Sequence, residues 1–297
     1  MILVTGGTGF VGKALISQLS EMGKPVRILL RPSPDSPSLP KGTPVEVAVC
    51  SLRDERGIRA ALKGVQGVYH LAGAERKGSR SDLTGVDVEG TKVLAEASAQ
   101  AGVERLIFLS HLGADRFSAY PVLKAKAIAE NHIINSGVGY SILRSSVIFG
   151  PNDQFTTKLA WLIKYSPGIF LIPGYGETQI QPLFINDLVS CLAWILKDPE
   201  MEKKLISLGG GEYFSFRQVI EILMTKTGIR RSIRPISPAY LRILSVVVEQ
   251  FVPGFPVSIF WLDYLAADRT CSIDSMPRTF GINPARFEHN LEYLRIK

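Results

Sequence analysis

Strand-like and helix-like segments alternate through the first half of this 297-residue chain, which predicts an α/β fold with a doubly wound parallel sheet. A glycine-rich turn between the first strand and the first helix supports this prediction. After Gly150 and Pro151 the alternation weakens, and aromatic residues and prolines become frequent. The sequence therefore predicts a sheet domain at 1–150 and a smaller C-terminal α/β lobe at 151–297, interleaved with the last strands of the sheet.

Short runs of β-branched and other apolar residues predict six strands in the first part. They are Ile2–Val4, Val26–Leu30, Val45–Val49, Gly67–Leu71, Leu106–Ser110 and Tyr140–Arg144. Helical periodicity follows between them, at Gly12–Met22, Gly57–Leu62, Val86–Ala101 and Val122–Ser136. Two more helices are expected in the second part, at Asp187–Lys197 and Phe216–Thr227. Ligands of such a sheet bind at the carboxyl ends of its strands.

The turn after the first strand has three glycines at a spacing that suits a dinucleotide. Gly6 permits a tight turn, Gly9 lets the backbone approach a pyrophosphate, and Gly12 lets the helix lie close to the strand. The N–H groups at the start of the helix favour phosphate there. The sequence thus predicts a Rossmann dinucleotide site, covered by the smaller lobe. Its predicted binding residues in this turn are Gly6, Thr8, Gly9, Phe10 and Val11.

Composition narrows the class of protein. The net charge is +7 and the pI is about 9.3, which suits a surface that attracts anionic ligands. The basic residues are scattered and form no nucleic-acid motif, so nucleic acid is not expected as the primary partner. Three cysteines and four histidines lack disulfide or metal-ligand spacing, so no metal is expected. With no signal peptide and no apolar run of about 18 to 20 residues, the expected location is cytoplasmic.

Several motifs downstream of the glycine turn resemble those of the extended and atypical short-chain dehydrogenase/reductases. They are His70–Gly73, Gly90–Thr91, Leu143–Pro151 and Gln181–Leu188. The run Phe280–Ile282 is similar to the tail of the branch that includes the nucleotide-binding accessory subunit of respiratory complex I and the NmrA-like sensors. The resemblance covers nearly the whole chain. It implies that Leu71, Ala72, Gly73 and Lys126 also contact the cofactor.

The end of the second strand favours NADP(H) as the cofactor. An acidic residue at this position binds the ribose hydroxyl of NAD, whereas an arginine nearby accepts the 2′-phosphate of NADP. Here the strand is followed by Arg31, and Asp35 is the first carboxylate. The guanidinium offers charge-assisted donors to a phosphate. NAD(H) is the alternative, with Arg31 then a solvated cation at the end of the strand.

Ser110, Tyr120 and Lys124 are the candidate catalytic residues. The resemblance implies a serine that orients a carbonyl, a tyrosine that acts as general acid or base, and a lysine that lowers the tyrosine pKa. Tyr120 and Lys124 are four residues apart, which places them on one face of a helix. Ser110 ends the fifth strand. The alternative is that Tyr120 is a cap residue, since Pro121 suits the first turn of a helix.

A second register of the same helix competes with this assignment. Lys126 and Glu130 match the lysine and glutamate that the family carries four residues apart, and the tyrosine position is then Val122. Lys124 and Lys126 differ by about 200° around a helix, so only one of them faces the cofactor. Asp87 also stands where the family commonly has an asparagine that supports a proton relay. Both features leave catalysis an open question.

Three functions remain open at this stage. The first is an NADP(H)-dependent oxidoreductase or epimerase acting on an unknown small carbonyl or nucleotide-sugar-type substrate. The second is a non-catalytic NADP(H)-binding sensor or accessory subunit of a respiratory membrane complex, which the resemblance would place at the periphery of the inner membrane. It would dock through the apolar segment Tyr240–Ala267, which includes Phe251, Phe255, Phe260 and Trp261; the alternative for this segment is the core of the smaller lobe. A domain that has lost its nucleotide is disfavoured by the intact glycine turn.

Overall fold

Thirteen strands and ten α-helices are found in the computed structural model, which describes residues 1–33, 43–75, 81–251 and 259–295, without the side chains of 249–251. The strands are β1 (Ile2–Thr5), β2 (Val26–Leu30), β3 (Glu46–Val49), β4 (Gly67–His70), β5 (Arg105–His111), β6 (Tyr140–Ser145), β7 (Ile148–Phe149), β8 (Ile169–Pro173), β9 (Gln179–Ile180), β10 (Leu183–Phe184), β11 (Lys204–Leu208), β12 (Phe214–Ser215) and β13 (Ser232–Ile236). The helices are α1 (Phe10–Glu21), α2 (Glu55–Ala61), α3 (Gly90–Gln100), α4 (Pro121–Asn135), α5 (Thr156–Tyr165), α6 (Ile185–Ile195), α7 (Phe216–Thr227), α8 (Pro238–Phe251), α9 (Ile259–Tyr264) and α10 (Ser275–Phe280).

Seven of the strands form the central sheet, in the order β11-β6-β5-β4-β1-β2-β3. Strand β1 pairs in parallel with both β2 and β4, so that Ile2 lies between Val26 and Gly67. The pairs β2 with β3 and β4 with β5 are parallel as well. This arrangement confirms the predicted doubly wound sheet. The strand order reverses between β1 and β4, and ligands of such sheets bind at the carboxyl ends beside this switch point.

The alternation of short apolar runs and amphipathic segments explains these elements. All four residues of β1 and of β4 are buried, because both are central strands covered on two faces. Leu3, Leu29, Val68, Leu106 and Phe108 meet the helices in one hydrophobic core. The sequence predicts one helix at Val86–Ala101, whereas the structure has a π-helical segment, Leu83–Glu89, followed by the shorter α3.

The chain divides into two units. Unit 1 comprises Met1–Ala74, Asp82–Arg144 and Leu188–Ser207, and it contains the central sheet. Unit 2 comprises Ser145–Asp187 and Leu208–Lys297, together with Glu75–Ser81. These units differ from the predicted domains, 1–150 and 151–297, in their bounds: the main part of unit 2 begins at Ser145, and the segment Leu188–Ser207 belongs to unit 1, where β11 pairs beside β6.

Unit 2 has its own core and three small sheets. The pairs are β7 with β10, β8 with β13, and β9 with β12. Its core includes Phe149, Phe170, Ile220 and Phe287, with Leu265 from the end of the segment Tyr240–Ala267. No helix in the described part of the chain combines the length and the apolar character needed to cross a bilayer.

Candidate functional site

The glycine turn lies at the carboxyl end of β1, beside the switch point of the sheet. Gly6 has a φ of +70°, a conformation that residues with a side chain rarely adopt. A Cβ atom at Gly6 would lie 2.7 Å from the backbone nitrogen of Ala72 and 2.7 Å from the carbonyl carbon of Leu71. The turn therefore passes against the segment that follows β4, and only glycine fits at this position.

Gly12 brings helix α1 against the same turn. A Cβ atom at Gly12 would lie 2.3 Å from the carbonyl oxygen of Gly6 and 2.7 Å from the Cα of Gly7. Gly9 is the N-cap of α1, where a glycine has no side chain to occupy the N–H groups of the first turn. No acidic residue is present in that turn. These N–H groups and the helix dipole suit an anion such as a pyrophosphate.

The remaining predicted cofactor residues lie around this turn. Thr8 is exposed in the turn, and Phe10 and Val11 begin α1. Leu71, Ala72 and Gly73 follow β4, with Gly73 exposed. Arg31 is exposed directly after β2, the strand next to β1. The structure thus gathers the turn, the end of β2 and the end of β4 along one edge of the sheet.

A directional chain of hydrogen bonds joins the ends of β1 and β4 to the start of α3. The Thr91 hydroxyl donates to the carbonyl oxygen of Asp87 at 2.6 Å, so its oxygen accepts from Nε2 of His70, 2.8 Å away. Nδ1 of His70 forms a second hydrogen bond, with the Thr5 hydroxyl at 2.7 Å. The Thr5 oxygen in turn accepts from the backbone N–H of Ala72 at 3.4 Å. These hydrogen bonds link the ends of β1 and β4 and hold the backbone that faces Gly6.

A buried ion pair lies next to these hydrogen bonds. The ammonium nitrogen of Lys126 is 3.0 Å from a carboxylate oxygen of Asp87, and both side chains are at most 4% exposed. The other carboxylate oxygen of Asp87 accepts from the backbone N–H of Ala74 at 2.9 Å. The Lys126 ammonium also lies 5.4 Å from the centre of the Phe108 ring. The positive charge of Lys126 is therefore balanced by Asp87, a residue of the π-helical segment.

Ser110, on β5, contacts α4 at Glu130, one helical turn after Lys126. Its hydroxyl donates to Glu130 at 2.6 Å, and the Glu130 carboxylate also accepts two hydrogen bonds from Arg144 at 2.9 and 2.5 Å. Ser110 is 1% exposed and Glu130 is 3% exposed. The arrangement holds β5, α4 and β6 together through one shared carboxylate.

Tyr120 and Lys124 lie elsewhere on α4. Tyr120 is the N-cap residue ahead of Pro121, and the Lys124 side chain is exposed. Tyr120 is ten residues before Glu130, the partner of Ser110, which corresponds to about 15 Å along a helix axis. Ser110 thus meets α4 at Glu130, about three turns beyond the N-cap position of Tyr120. The structure places Val122 and Lys126, four residues apart, on the buried side of α4.

The sequence does not predict the contacts of several residues of this site. His70, Gly90 and Thr91 were noticed as parts of motifs, but the hydrogen bonds that connect Thr5, His70 and Thr91 were not foreseen, nor was the role of Arg144. The signal was present as polar side chains at the buried ends of apolar strands, where a polar group needs a partner. The partners themselves lie far apart in the sequence.

Comparisons with known proteins agree with this geometry. Residues 6–160 match a family model described as NAD(P)H-binding. The chain is 34% identical over 270 residues to the sterol demethylase protein B of Methylococcus capsulatus, covering 83% of this chain and 80% of that protein. It is 32% identical over 228 residues to NADH dehydrogenase [ubiquinone] 1 alpha subcomplex subunit 9 of Arabidopsis thaliana. That match covers 74% of this chain, which spans 56% of the relative's length.

The fold is also found among solved structures. The UDP-glucose 4-epimerase of Thermus thermophilus in complex with NAD superposes with a TM-score of 0.74. The sequence identity is 23%, and the superposition covers 99% of this chain and 97% of the epimerase. Together with the family match, the glycine turn and the sheet order, these findings establish the class of protein. The chain belongs to the NAD(P)-binding extended and atypical short-chain dehydrogenase/reductases, in which the accessory subunit of complex I is also found.

Proposed function

We propose that unit 1 holds NADP(H) as a resident ligand that the protein does not turn over. The observation that carries this proposal is the buried ion pair between Lys126 and Asp87, with Val122 at the position four residues before Lys126. In the family the corresponding tyrosine and lysine move a proton to or from the substrate. Here an apolar side chain replaces the tyrosine, and a carboxylate balances the lysine.

The residues of the glycine turn fit a bound dinucleotide. The two positions where a Cβ atom would collide with backbone, Gly6 and Gly12, keep the turn close to helix α1. The N–H groups that follow Gly9 would hold the pyrophosphate, and Arg31 would hold the 2′-phosphate. When bound, NADPH supplies a hydride donor, but reduction of a carbonyl also needs a proton donor at the oxygen.

The contacts of the predicted catalytic serine and lysine argue against such a donor. The Ser110 hydroxyl donates to Glu130, and the Lys124 side chain is exposed. The charge of Lys126 is opposed by Asp87 at 3.0 Å, so it would do little to lower the pKa of a neighbouring hydroxyl. The proposal assigns Lys126 and Asp87 to holding the site together. Such a protein would have a role like that of one relative, the accessory subunit of complex I. We infer that it would lie at the periphery of the inner membrane.

Replacing Arg31 with aspartate tests the choice of cofactor. We expect the dissociation constant for NADPH to rise about 10- to 100-fold, because a charge-assisted contact worth roughly 1.5–3 kcal/mol is lost. The dissociation constant for NADH should change less than about threefold. Fluorescence titration with both dinucleotides measures the two effects.

The matched control is Lys24→Asp, which makes the same change of charge at another exposed residue of unit 1. It should leave the NADPH dissociation constant unchanged. Equal weakening in both variants would reduce the role of Arg31 to a general effect of charge. No weakening in Arg31→Asp would remove Arg31 from the site.

A reductase acting on an apolar carbonyl compound is the second candidate function. It is supported by the relative named sterol demethylase protein B, of which this chain covers 80%. Tyr120 is the side chain that would then donate the proton. Sustained NADPH oxidation with a long-chain ketone that is abolished in Tyr120→Phe would support this candidate over the first.

A further inference from the structure

Two segments of the chain are rich in basic residues and contain no acidic ones. Residues 154–176 and 222–248 contain no aspartate or glutamate, and their basic residues are Lys158, Lys164, Lys226, Arg230, Arg231, Arg234 and Arg242. The whole chain has 34 lysines and arginines against 27 aspartates and glutamates. Without these seven cations, 27 residues of each sign remain. These two segments, which we name the basic segments, therefore carry a combined charge as large as the net charge of the whole chain.

The basic segments lie together in unit 2. Strand β8 of the first pairs in parallel with β13 of the second, so that Leu171 lies beside Arg234 and Ile169 beside Ser232. Two of the cations have carboxylate partners: Lys226 is 3.8 Å from Glu292, and Arg242 is 2.5 Å from Asp263. In the described part of the chain, Lys158, Lys164, Arg230 and Arg234 form no ion pair. These charges remain available to an anionic partner.

The outer face of β8 is apolar where a solvated strand is normally polar. Phe170 and Ile172 point into the core, while Ile169 and Leu171 on the opposite face are 49% and 45% exposed. On the neighbouring helix α5, the exposed rings of Trp161 and Tyr165 contact each other with centroids 4.8 Å apart. Aromatic rings of this type are enriched where a protein meets the headgroup region of a membrane.

Helix α8 extends the same surface. Among its described side chains, Leu241 and Ser245 are buried, whereas most of the others are exposed and apolar. The exposed apolar residues are Tyr240, Ile243, Leu244, Val246 and Val247. The segment Tyr240–Ala267 is thus divided. Tyr264, the last residue of α9, and Leu265, which follows it, belong to the core, whereas the α8 part faces outward. The side chains of Phe251 and Phe255 lie outside the described residues.

A cavity of about 280 Å³ lies beneath this surface. Its wall is mainly aliphatic and aromatic, and the exposed residues Ile169, Leu171 and Leu244 belong to that wall. The cavity therefore reaches the surface between β8 and α8. Lys158 is part of the same wall. The volume is close to the lower end of the roughly 300–1,000 Å³ that small-molecule sites enclose.

We propose that this face of unit 2 docks on an anionic phospholipid bilayer and that the cavity takes up one hydrocarbon chain of a lipid. The exposed apolar residues would enter the headgroup region, and the cations of the basic segments would contact lipid phosphates. A second copy of the chain is a poor occupant, because a twofold interface would set these cations against one another. The proposal is independent of the cofactor, whose site lies in unit 1.

Sedimentation of the full chain with lipid vesicles tests the docking. We expect binding to vesicles of phosphatidylcholine and phosphatidylglycerol in equal parts, and weak binding to phosphatidylcholine alone. The double variant Arg230→Gln/Arg234→Gln should lower the partition coefficient about thirtyfold, because each cation near an anionic surface contributes roughly a factor of five. The double variant Ile243→Gln/Val247→Gln should weaken binding even at high salt.

A matched control makes the same change of charge in unit 1. Lys24→Gln/Arg56→Gln removes two exposed cations outside the basic segments, and its partition coefficient should equal that of the wild type. Equal losses in both charge variants would mean that only net charge matters, which overturns the assignment to this face. Absence of binding to the anionic vesicles also overturns it. So does binding to native membranes with none to protein-free lipid, which would indicate a protein partner.

Tryptophan fluorescence tests the cavity. The three tryptophans are Trp161 on the docking face, Trp261 in the cavity wall and Trp194 in unit 1. In Trp161→Phe/Trp194→Phe, where Trp261 is the remaining fluorophore, we expect strong quenching by vesicles whose phosphatidylglycerol carries brominated acyl chains. In Trp161→Phe/Trp261→Phe, where Trp194 remains, quenching should be absent. Quenching of Trp194 but not of Trp261 would contradict the proposed site, while NADPH titration of the same variants tests the cofactor separately.

Discussion

Gly6→Ala should raise the dissociation constant for NADPH at least about 100-fold, an effect on the order of 3 kcal/mol. The alanine Cβ would lie 2.7 Å from the backbone of both Leu71 and Ala72, so the glycine turn or the segment after β4 has to move. A displaced turn no longer presents the N–H groups of α1 to the pyrophosphate. Fluorescence titration measures the affinity, and chemical denaturation measures the accompanying loss of stability.

Gly64→Ala is the matched control for this variant. Gly64 has a φ of +71°, close to the +70° of Gly6, but a Cβ atom there meets no other atom within 4 Å. Both alanines carry the cost of a left-handed backbone, roughly 1–2 kcal/mol of stability. Only Gly6→Ala adds the collision at the cofactor turn. NADPH affinity should therefore be normal in Gly64→Ala, and normal affinity in Gly6→Ala would contradict the assigned turn.

Lys126→Met should lower the free energy of unfolding by about 3–5 kcal/mol, measured without cofactor. The substitution leaves the Asp87 carboxylate buried opposite an apolar side chain, and an uncompensated buried charge costs this much. The methionine fills a similar volume, so loss of packing contributes little. Lys124→Met, two residues away at an exposed position, should change the free energy of unfolding by less than about 0.5 kcal/mol.

Adding Asp87→Asn to Lys126→Met should restore most of the lost stability. An asparagine at 87 carries no charge, and its amide oxygen can still accept the N–H of Ala74 that Asp87 accepts at 2.9 Å. The double-mutant cycle isolates the interaction between the two side chains. A double variant as unstable as the sum of the single variants would show that the ion pair is not the source of the effect.

The elements of the central sheet could be predicted because their signals are local. Strand β2 was predicted at the observed Val26–Leu30, and helix α7 at the observed Phe216–Thr227. Both have clear boundaries: Pro25 precedes β2, and Ser215 and Gly228 cap α7. The π-helical segment before α3 could not be predicted, because only its backbone hydrogen bonds, which join residues five apart, distinguish it from the α-helix that follows.

The limits of the two units were harder to predict than the fold. The change in composition at Gly150 suggested a boundary there. In the structure this part of unit 1 ends at Arg144, and unit 2 continues from Ser145. A strand such as β11, Lys204–Leu208, is too short to reveal which sheet it joins. Its pairing beside β6 depends on contacts between residues more than fifty positions apart, which a local pattern does not contain.

Some features of the site follow from local sequence, and others depend on contacts between distant residues. The 200° separation of Lys124 and Lys126 follows from helix geometry, and the structure places Lys126 inside and Lys124 outside. The buried partner of Lys126 was harder to predict from the sequence. Asp87 was noticed only as a departure from the family's asparagine, although a buried lysine requires a compensating charge. The Thr5–His70–Thr91 hydrogen bonds join three separate elements and could be seen only in the folded chain.

Absorbance at 340 nm of the protein saturated with NADPH, followed over hours with ketones of increasing chain length, tests the central proposal most directly. The resident-ligand proposal predicts one NADPH bound per chain and no decay beyond that of a protein-free solution, in the presence or absence of anionic vesicles. Oxidation of many equivalents of NADPH per chain, lost in Tyr120→Phe, would contradict it and establish a reductase. Failure of NADPH to bind would contradict both functions.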